Sequence, residues 1–81
     1  MRLDKYLKVS RLIKRRSVAN KVTDMGRVLV NGKPAKPAKQ VKIGDIIEIE
    51  YSNKIEKFEI IIVPQGNVSI QEASDLYKIV G

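Results

Sequence analysis

Gly26-Arg27-Val28-Leu29-Val30-Asn31-Gly32 is the stretch at which the chain changes period. Val28-Leu29-Val30 has the β-branched, apolar composition of a strand. Asn31-Gly32 is the dipeptide preferred in a tight type I′ hairpin turn, whose two central residues both take positive φ. Lys33 begins the return, but Pro34 and Pro37 lack the N–H that a ladder needs, so the return is an edge strand or irregular. Gly26 stands where a left-handed residue closes a preceding helix. Upstream the apolar residues recur at helical spacing and downstream they alternate, which predicts an α+β unit with its helices first.

Working back from Gly26, residues 18–25 read as a helix with Ser17 as N-cap, its hydroxyl placed to accept a free backbone N–H, and with Val18, Val22 and Met25 on one side. Residues 3–9 read as a second, earlier helix. At ~100° per residue, Leu3, Tyr6 and Leu7 share one face and Lys5 and Lys8 the opposite one. The cations Arg2, Lys5, Lys8, Arg11 and Lys14 are spaced three apart and run into Arg15 and Arg16. Continued as one helix, that ladder would wind round onto the apolar face. Ser10 is therefore where the helix ends, and 10–16 is a basic connector.

Working forward, Gly44-Asp45 turns the chain into a strand at 46–51, where Ile47, Ile49 and Tyr51 alternate with Glu48 and Glu50. After Ser52-Asn53, residues 57–63 form a further strand, stopped by Pro64. Ser69 and Glu72 have capping-box spacing, each able to satisfy the other's backbone donor, and start a last short helix through about Tyr77. The predicted order is ααββββα.

Charge divides the same way. Residues 1–42 hold thirteen Lys and Arg against Asp4 and Asp24, a net +11, whereas residues 43–81 sum to −4. With one acid in the first twenty-three residues, i,i+4 salt bridging does not account for the ladder, and a polyanionic partner does. Displacement of counterions by about five of these cations would cost roughly 10²–10³ in affinity between 50 and 200 mM salt. Charge alone does not separate RNA from DNA or from an anionic membrane. An interfacial helix, however, needs large apolar groups for lipid, and Leu3, Tyr6 and Leu7 are needed for the core. The expectation is a soluble, cytoplasmic, monomeric protein with no membrane partner.

Enzymatic readings find little support. There is no Cys and no His, which removes thiolate chemistry, imidazole acid–base catalysis and the usual zinc sites. Glu48 and Glu50 share a strand face, as a carboxylate pair or a metal site would, but alternation with Ile47 and Ile49 predicts the same for a solvated sheet face. No P-loop or G-x-G-x-x-G occurs, and no cofactor is expected. The aromatics are Tyr6, Tyr51, Tyr77 and Phe58, too few for a base-stacking platform. Recognition should rest on phosphate and shape contacts.

The runs Arg2-Leu3-Asp4-Lys5-Tyr6-Leu7, Arg16-Ser17-Val18-Ala19, residues 26–32 and Lys42-Ile43-Gly44-Asp45-Ile46-Ile47 together resemble the small RNA-binding domain first named from ribosomal small-subunit protein four, over residues 1–50. Residues 5–16, the length and the ending Gln71–Tyr77 are similar to the stand-alone RqcP family of Gram-positive bacteria. The resemblance implies a single domain over 1–81, with its core motif about 1–50 and an extension at 51–81. It implies two N-terminal helices on a small bent antiparallel sheet, gripping structured RNA with the helices and first hairpin.

It further implies a role in ribosome-associated quality control. There such a protein contacts rRNA of the large ribosomal subunit and peptidyl-tRNA, beside an RqcH-type factor that appends alanine to the stalled chain. A related heat-shock factor, which rescues chain-bearing subunits without tailing, is the alternative. The candidate RNA-binding residues are Arg2, Lys5, Lys8, Arg11, Lys14, Arg15, Arg16, Lys21, Lys33 and Lys36. Arg2 and Arg16 lead because the guanidinium fork suits phosphate. Arg16, placed just before the N-cap, would also bring a phosphate to the free N–H groups of the second helix. Asp4 either holds Arg2 or a backbone donor in place or only tempers repulsion. Lys33, Lys36 and Lys39 either extend the binding edge or keep it soluble.

Overall fold

A computed structural model describes residues 1–66 and 68–81. The elements in order are α1 (Leu3–Val9), α2 (Arg16–Asp24), β1 (Val28–Val30), β2 (Lys33–Pro34), β3 (Ile46–Tyr51), β4 (Lys54–Ile60), α3 (Ile70–Ala73), a 3₁₀ turn (Ser74–Leu76) and β5 (Tyr77–Ile79). The five strands form one antiparallel sheet in the order β2-β1-β3-β4-β5. This is the α+β class that the period change predicts, with one strand more than expected.

The turn chemistry sets the register. Asn31 and Gly32 both take positive φ, 53° and 84°, and pair Val30 with Lys33. The Asn31 side chain does more: its amide donates to Asp45 at 3.1 Å and its carbonyl accepts from the Ile46 N–H at 2.9 Å. The hairpin tip is thereby clamped to the start of β3. Gly26, at φ 78°, closes α2 as expected. Its N–H donates to the Thr23 carbonyl and that of Arg27 to the Val22 carbonyl, the paired bonds of a Schellman motif.

Val28, Val30, Ile47, Ile49, Phe58 and Ile60 are buried in one cluster with Leu3, Tyr6, Leu7, Ala19, Val41 and Leu76. Full burial of Leu3, Tyr6 and Leu7 contributes on the order of 1.5–3 kcal/mol each, which fixes the rotation of α1 and leaves Lys8 outward. The Tyr6 hydroxyl donates to the Leu76 carbonyl at 2.8 Å, tying the first helix to the last third of the chain.

Four expectations are corrected. First, Ser17 is not the N-cap of the second helix. Arg15 is, in extended backbone and without a side-chain cap, because its carbonyl already accepts from the Ala19 N–H at 3.0 Å. Second, Val18 and Met25 do not face the core but are 45% and 55% exposed; the smaller Ala19 and Thr23 are buried instead. Third, the fourth strand occupies 54–60 rather than 57–63. The two-residue turn at Ser52-Asn53 starts pairing at Tyr51↔Lys54. Ile61 and Ile62 then leave the ladder to donate to the Leu76 carbonyl. Fourth, the last helix ends before Tyr77, which enters β5 opposite Ile60 and packs edge-on against Phe58 at 5.3 Å. At the start of that helix the Ser69 hydroxyl accepts the Glu72 N–H and donates to the Glu72 carboxylate, so only one backbone donor of the capping box is met by a side chain.

Candidate nucleic-acid interface

Asp4 organises the basic half. Only 3% of its side chain is exposed, yet its carboxylate accepts five hydrogen bonds. Arg2 donates from Nε at 3.2 Å and Nη2 at 3.3 Å, the Lys5 backbone N–H at 2.8 Å, Arg16 Nη2 at 3.4 Å and Asn20 Nδ2 at 3.2 Å. Burial alone would raise the pKa of this carboxyl. The donors from Asn20, Arg16 and Lys5 and the Arg16 charge outweigh it and hold the pKa below the ordinary value. Of the two roles open for Asp4, the structure selects the positioning one: it holds together Arg2, just before α1, and Arg16, fourteen residues on at the start of α2. Both guanidinium side chains remain almost half exposed, at 46% and 47%, with donors left for a ligand.

A second connection was not legible beforehand. Residues 37–41 run along the chain's first residues. Arg2 pairs with Gln40 as a β-bridge, and the N–H groups of Leu3, Asp4 and Val41 donate to the carbonyls of Lys39, Pro37 and Met1. Arg2 and Lys5 share a groove with Gln40, Val63 and Gln65. Lys33, Lys36 and Lys39 share an adjoining one beside the first hairpin. The cationic groups therefore follow one path: Arg16, Asp4-held Arg2, then Lys39, Lys36 and Lys33.

The two helix starts differ. In α1 the first-turn donors are taken, by the Lys39 and Pro37 carbonyls and by the Asp4 side chain. In α2 no side chain caps the start and the first turn holds no acid. Arg15 is the N-cap and Arg16 the first helical residue, rather than the residue before the cap. Two cations at the positive end of a helix dipole are unfavourable without an anion.

Of the other candidates, Lys8, Arg11, Lys14 and Lys21 are exposed. Arg11 has a left-handed backbone, φ 61°. Lys21 lies ~140° round α2 from Arg16 and is not on the Arg16–Asn20 stripe that faces Asp4. Asn20 escaped sequence reading, although its place four residues after Arg16 was the available signal. The lysines of residues 43–81 are neutralised locally. Lys57 pairs with Glu48 and Lys78 with Glu59, each at 3.8 Å, as cross-strand ion pairs on the outer sheet face, and Lys54 pairs with Glu56 at 2.9 Å at the end of the opposite face. Among the described residues, Arg2 and Arg16 are the only cations of residues 1–42 with a carboxylate in reach. The other eleven stand unneutralised. No described helix is long and apolar enough to cross a membrane.

A helix pair, a hairpin and a cationic path that joins the Asp4-held arginines to lysines without a carboxylate define an RNA-binding domain of the S4 class, and the S4 domain family matches residues 1–47. The chain belongs to this family, and within it to the RqcP branch: it is 49% identical over 80 residues to the RQC P-site tRNA stabilizing factor of Listeria monocytogenes, covering 99% of this chain and 86% of that one. The factor of the same name from Streptococcus pneumoniae is 44% identical over 80 residues, covering 99% and 90%. Among solved structures, the trimeric heat shock protein 15 of Vibrio cholerae superposes with a TM-score of 0.89 at 34% identity, over 99% of this chain and 81% of that one.

Proposed function

We propose that the protein is a non-catalytic RNA-binding factor of bacterial ribosome-associated quality control. In this reading it docks on large ribosomal subunits obstructed by a stalled chain, contacting rRNA and peptidyl-tRNA, and supports alanine tailing by an RqcH-type partner. The observation that carries it is the Asp4-centred pair of Arg2 and Arg16, joined by residues 37–41 to the lysines of the hairpin. The name that the Listeria and Streptococcus relatives carry, RQC P-site tRNA stabilizing factor, supports the ribosomal setting. The mechanism is positional. A rigid cationic face spans phosphates of two RNAs and holds one tRNA state, while bond making belongs to the ribosome.

The test is co-sedimentation with large subunits carrying peptidyl-tRNA. Arg16→Ala or Arg2→Ala should each cost about 1.5–3 kcal/mol of binding, the scale of a charge-assisted hydrogen bond, with the fold retained. Variants that co-sediment like the wild type would show the face to be wrong. The likeness to heat shock protein 15 favours a second reading, rescue of chain-bearing subunits without tailing. Loss of alanine tails on deletion of the protein would decide for the first.

A further inference from the structure

We propose that the groove beside the first hairpin receives an unpaired nucleotide of the bound RNA, as a site separate from the arginine pair. This rests on the RNA-binding reading and specifies the form of RNA this part of the face takes. The groove holds about 470 Å³, within the ~300–1,000 Å³ of small-ligand clefts. It is lined by Lys33, Lys36 and Lys39 together with the short apolar side chains of Val30, Pro34, Ala35 and Ala38.

The lysines are fixed by the backbone. The Lys39 N–H donates to the Lys36 carbonyl at 3.0 Å, closing a turn over Lys36-Pro37-Ala38-Lys39 that keeps those two residues within ~7 Å at Cα. Pro37 is buried and pins the turn. Lys33 is set by its pairing with Val30, and Ala35 by its N–H to the Val28 carbonyl at 3.1 Å. No carboxylate residue occurs from 25 to 44, so nothing in this segment neutralises the three ammonium groups.

Charge alone would fit any phosphate backbone; the apolar lining narrows it. A duplex presents phosphates on a convex surface and needs no depression lined by short apolar side chains. An unpaired nucleotide offers an apolar base face with a phosphate on either side, which matches a groove lined by both short apolar side chains and lysines. Lysines, as point charges on flexible stems, suit a strand of variable path better than a fixed bidentate fork does.

Fluorescence anisotropy of the full chain tests this with two labelled RNAs: a blunt hairpin, and the same hairpin with a three-nucleotide unpaired 3′ tail. The tailed RNA should bind about tenfold tighter, the worth of one good polar contact. Ala38→Leu, which keeps the charge and fills the groove, should bring the tailed RNA to the level of the blunt one. Lys36→Gln, at an exposed position, should weaken the tailed RNA and lower its logarithmic salt slope by about 0.7. Equal binding of both RNAs by the wild type, or an Ala38→Leu protein that melts normally and keeps the preference, overturns the groove and leaves the RNA-binding reading standing. Failure of both RNAs to bind overturns both readings.

Discussion

Replacing Arg11 by glycine should make the protein more stable and a weaker RNA binder, two effects of opposite sign from one side chain. Arg11 follows Ser10, the C-cap of α1, at φ 61°. Its N–H donates to the Lys8 carbonyl and the Ile13 N–H reaches back to the Leu7 carbonyl, each at 3.0 Å. That backbone position is glycine's, and an L side chain there costs roughly 1–2 kcal/mol. Glycine gives back about 0.4–1 kcal/mol through the greater freedom of its unfolded chain. The net gain is on the order of 0.5–1 kcal/mol, or about 2–8 °C in Tm for a domain of this size.

Among the described residues the exposed guanidinium meets no carboxylate, so the fold loses no ion pair. If the side chain meets a phosphate, its loss should cost about 1–2 kcal/mol of binding, five- to thirtyfold, an exposed contact counting for less than a buried one. Differential scanning fluorimetry and anisotropy against a hairpin RNA read the two quantities. Arg11→Gln separates them, since it removes the charge but keeps the backbone cost: affinity should fall as in the glycine variant with no gain in Tm. A glycine variant that binds like the wild type would remove Arg11 from the interface. One that melts lower would refute the conformational argument.

Further outcomes follow from the same bonds. Asp4→Asn should lower stability by about 1.5–3 kcal/mol and also weaken RNA binding, because it turns an amide toward Arg2, Arg16 and Asn20 and leaves them unanchored; denaturant titration and anisotropy read both. The lowered pKa of Asp4 means that the folded state binds fewer protons there than the unfolded one. Its stabilisation is complete above the unfolded carboxylate value near ~3.9 and fades as pH falls through the folded value, so Asp4→Asn should flatten the acid limb of the stability curve. Tyr6→Phe should cost about 1 kcal/mol, or ~4–8 °C, since the Leu76 carbonyl keeps its bonds from Ile61 and Ile62. Gly26→Ala should lose about 0.5–1 kcal/mol, the left-handed backbone cost of ~1–2 kcal/mol less the ~0.4–1 kcal/mol that a stiffer unfolded chain returns, because a Cβ there would meet nothing within 4 Å.

The elements that the sequence disclosed well are those set by local chemistry: Gly26 as a left-handed closure, Asn31-Gly32 as a hairpin, and the apolar face of α1 at Leu3, Tyr6 and Leu7. What it disclosed poorly depends on distant partners. Ser17 has the right chemistry for a cap, but the helix starts earlier because Arg15 already closes the first turn with Ala19. Ile61 and Ile62 look like strand, but the Leu76 carbonyl takes their N–H groups. At the candidate site the cations were visible by count, and the pairing of Arg2 with Arg16 was not. It passes through a buried carboxylate and an asparagine sixteen residues away from it, and the i,i+4 spacing of Arg16 and Asn20 was its one local trace. The passage of residues 37–41 beside the chain's start was equally hidden, because it is made by main-chain groups that any side chains would permit.

Where the fold departs from what stability favours is itself directional. An arginine sits at a glycine position, two arginines stand at the uncapped positive end of α2, and eleven cations lack a carboxylate among the described residues. All lie within residues 1–42. The rest of the chain follows the rules: a serine caps α3, each of its three lysines has a glutamate, and the outer sheet face alternates in sign. Local violations that fold energy does not repay are expected where a partner repays them. The Tyr6–Leu76 bond and the shared core let the conforming half carry the strained one. The two halves are therefore coupled in energy although only one faces the ligand. Weakening the last third of the chain should loosen the Arg2–Asp4–Arg16 cluster as well, because α1, which bears Asp4 and has Arg2 as its N-cap, is held from behind by Leu76.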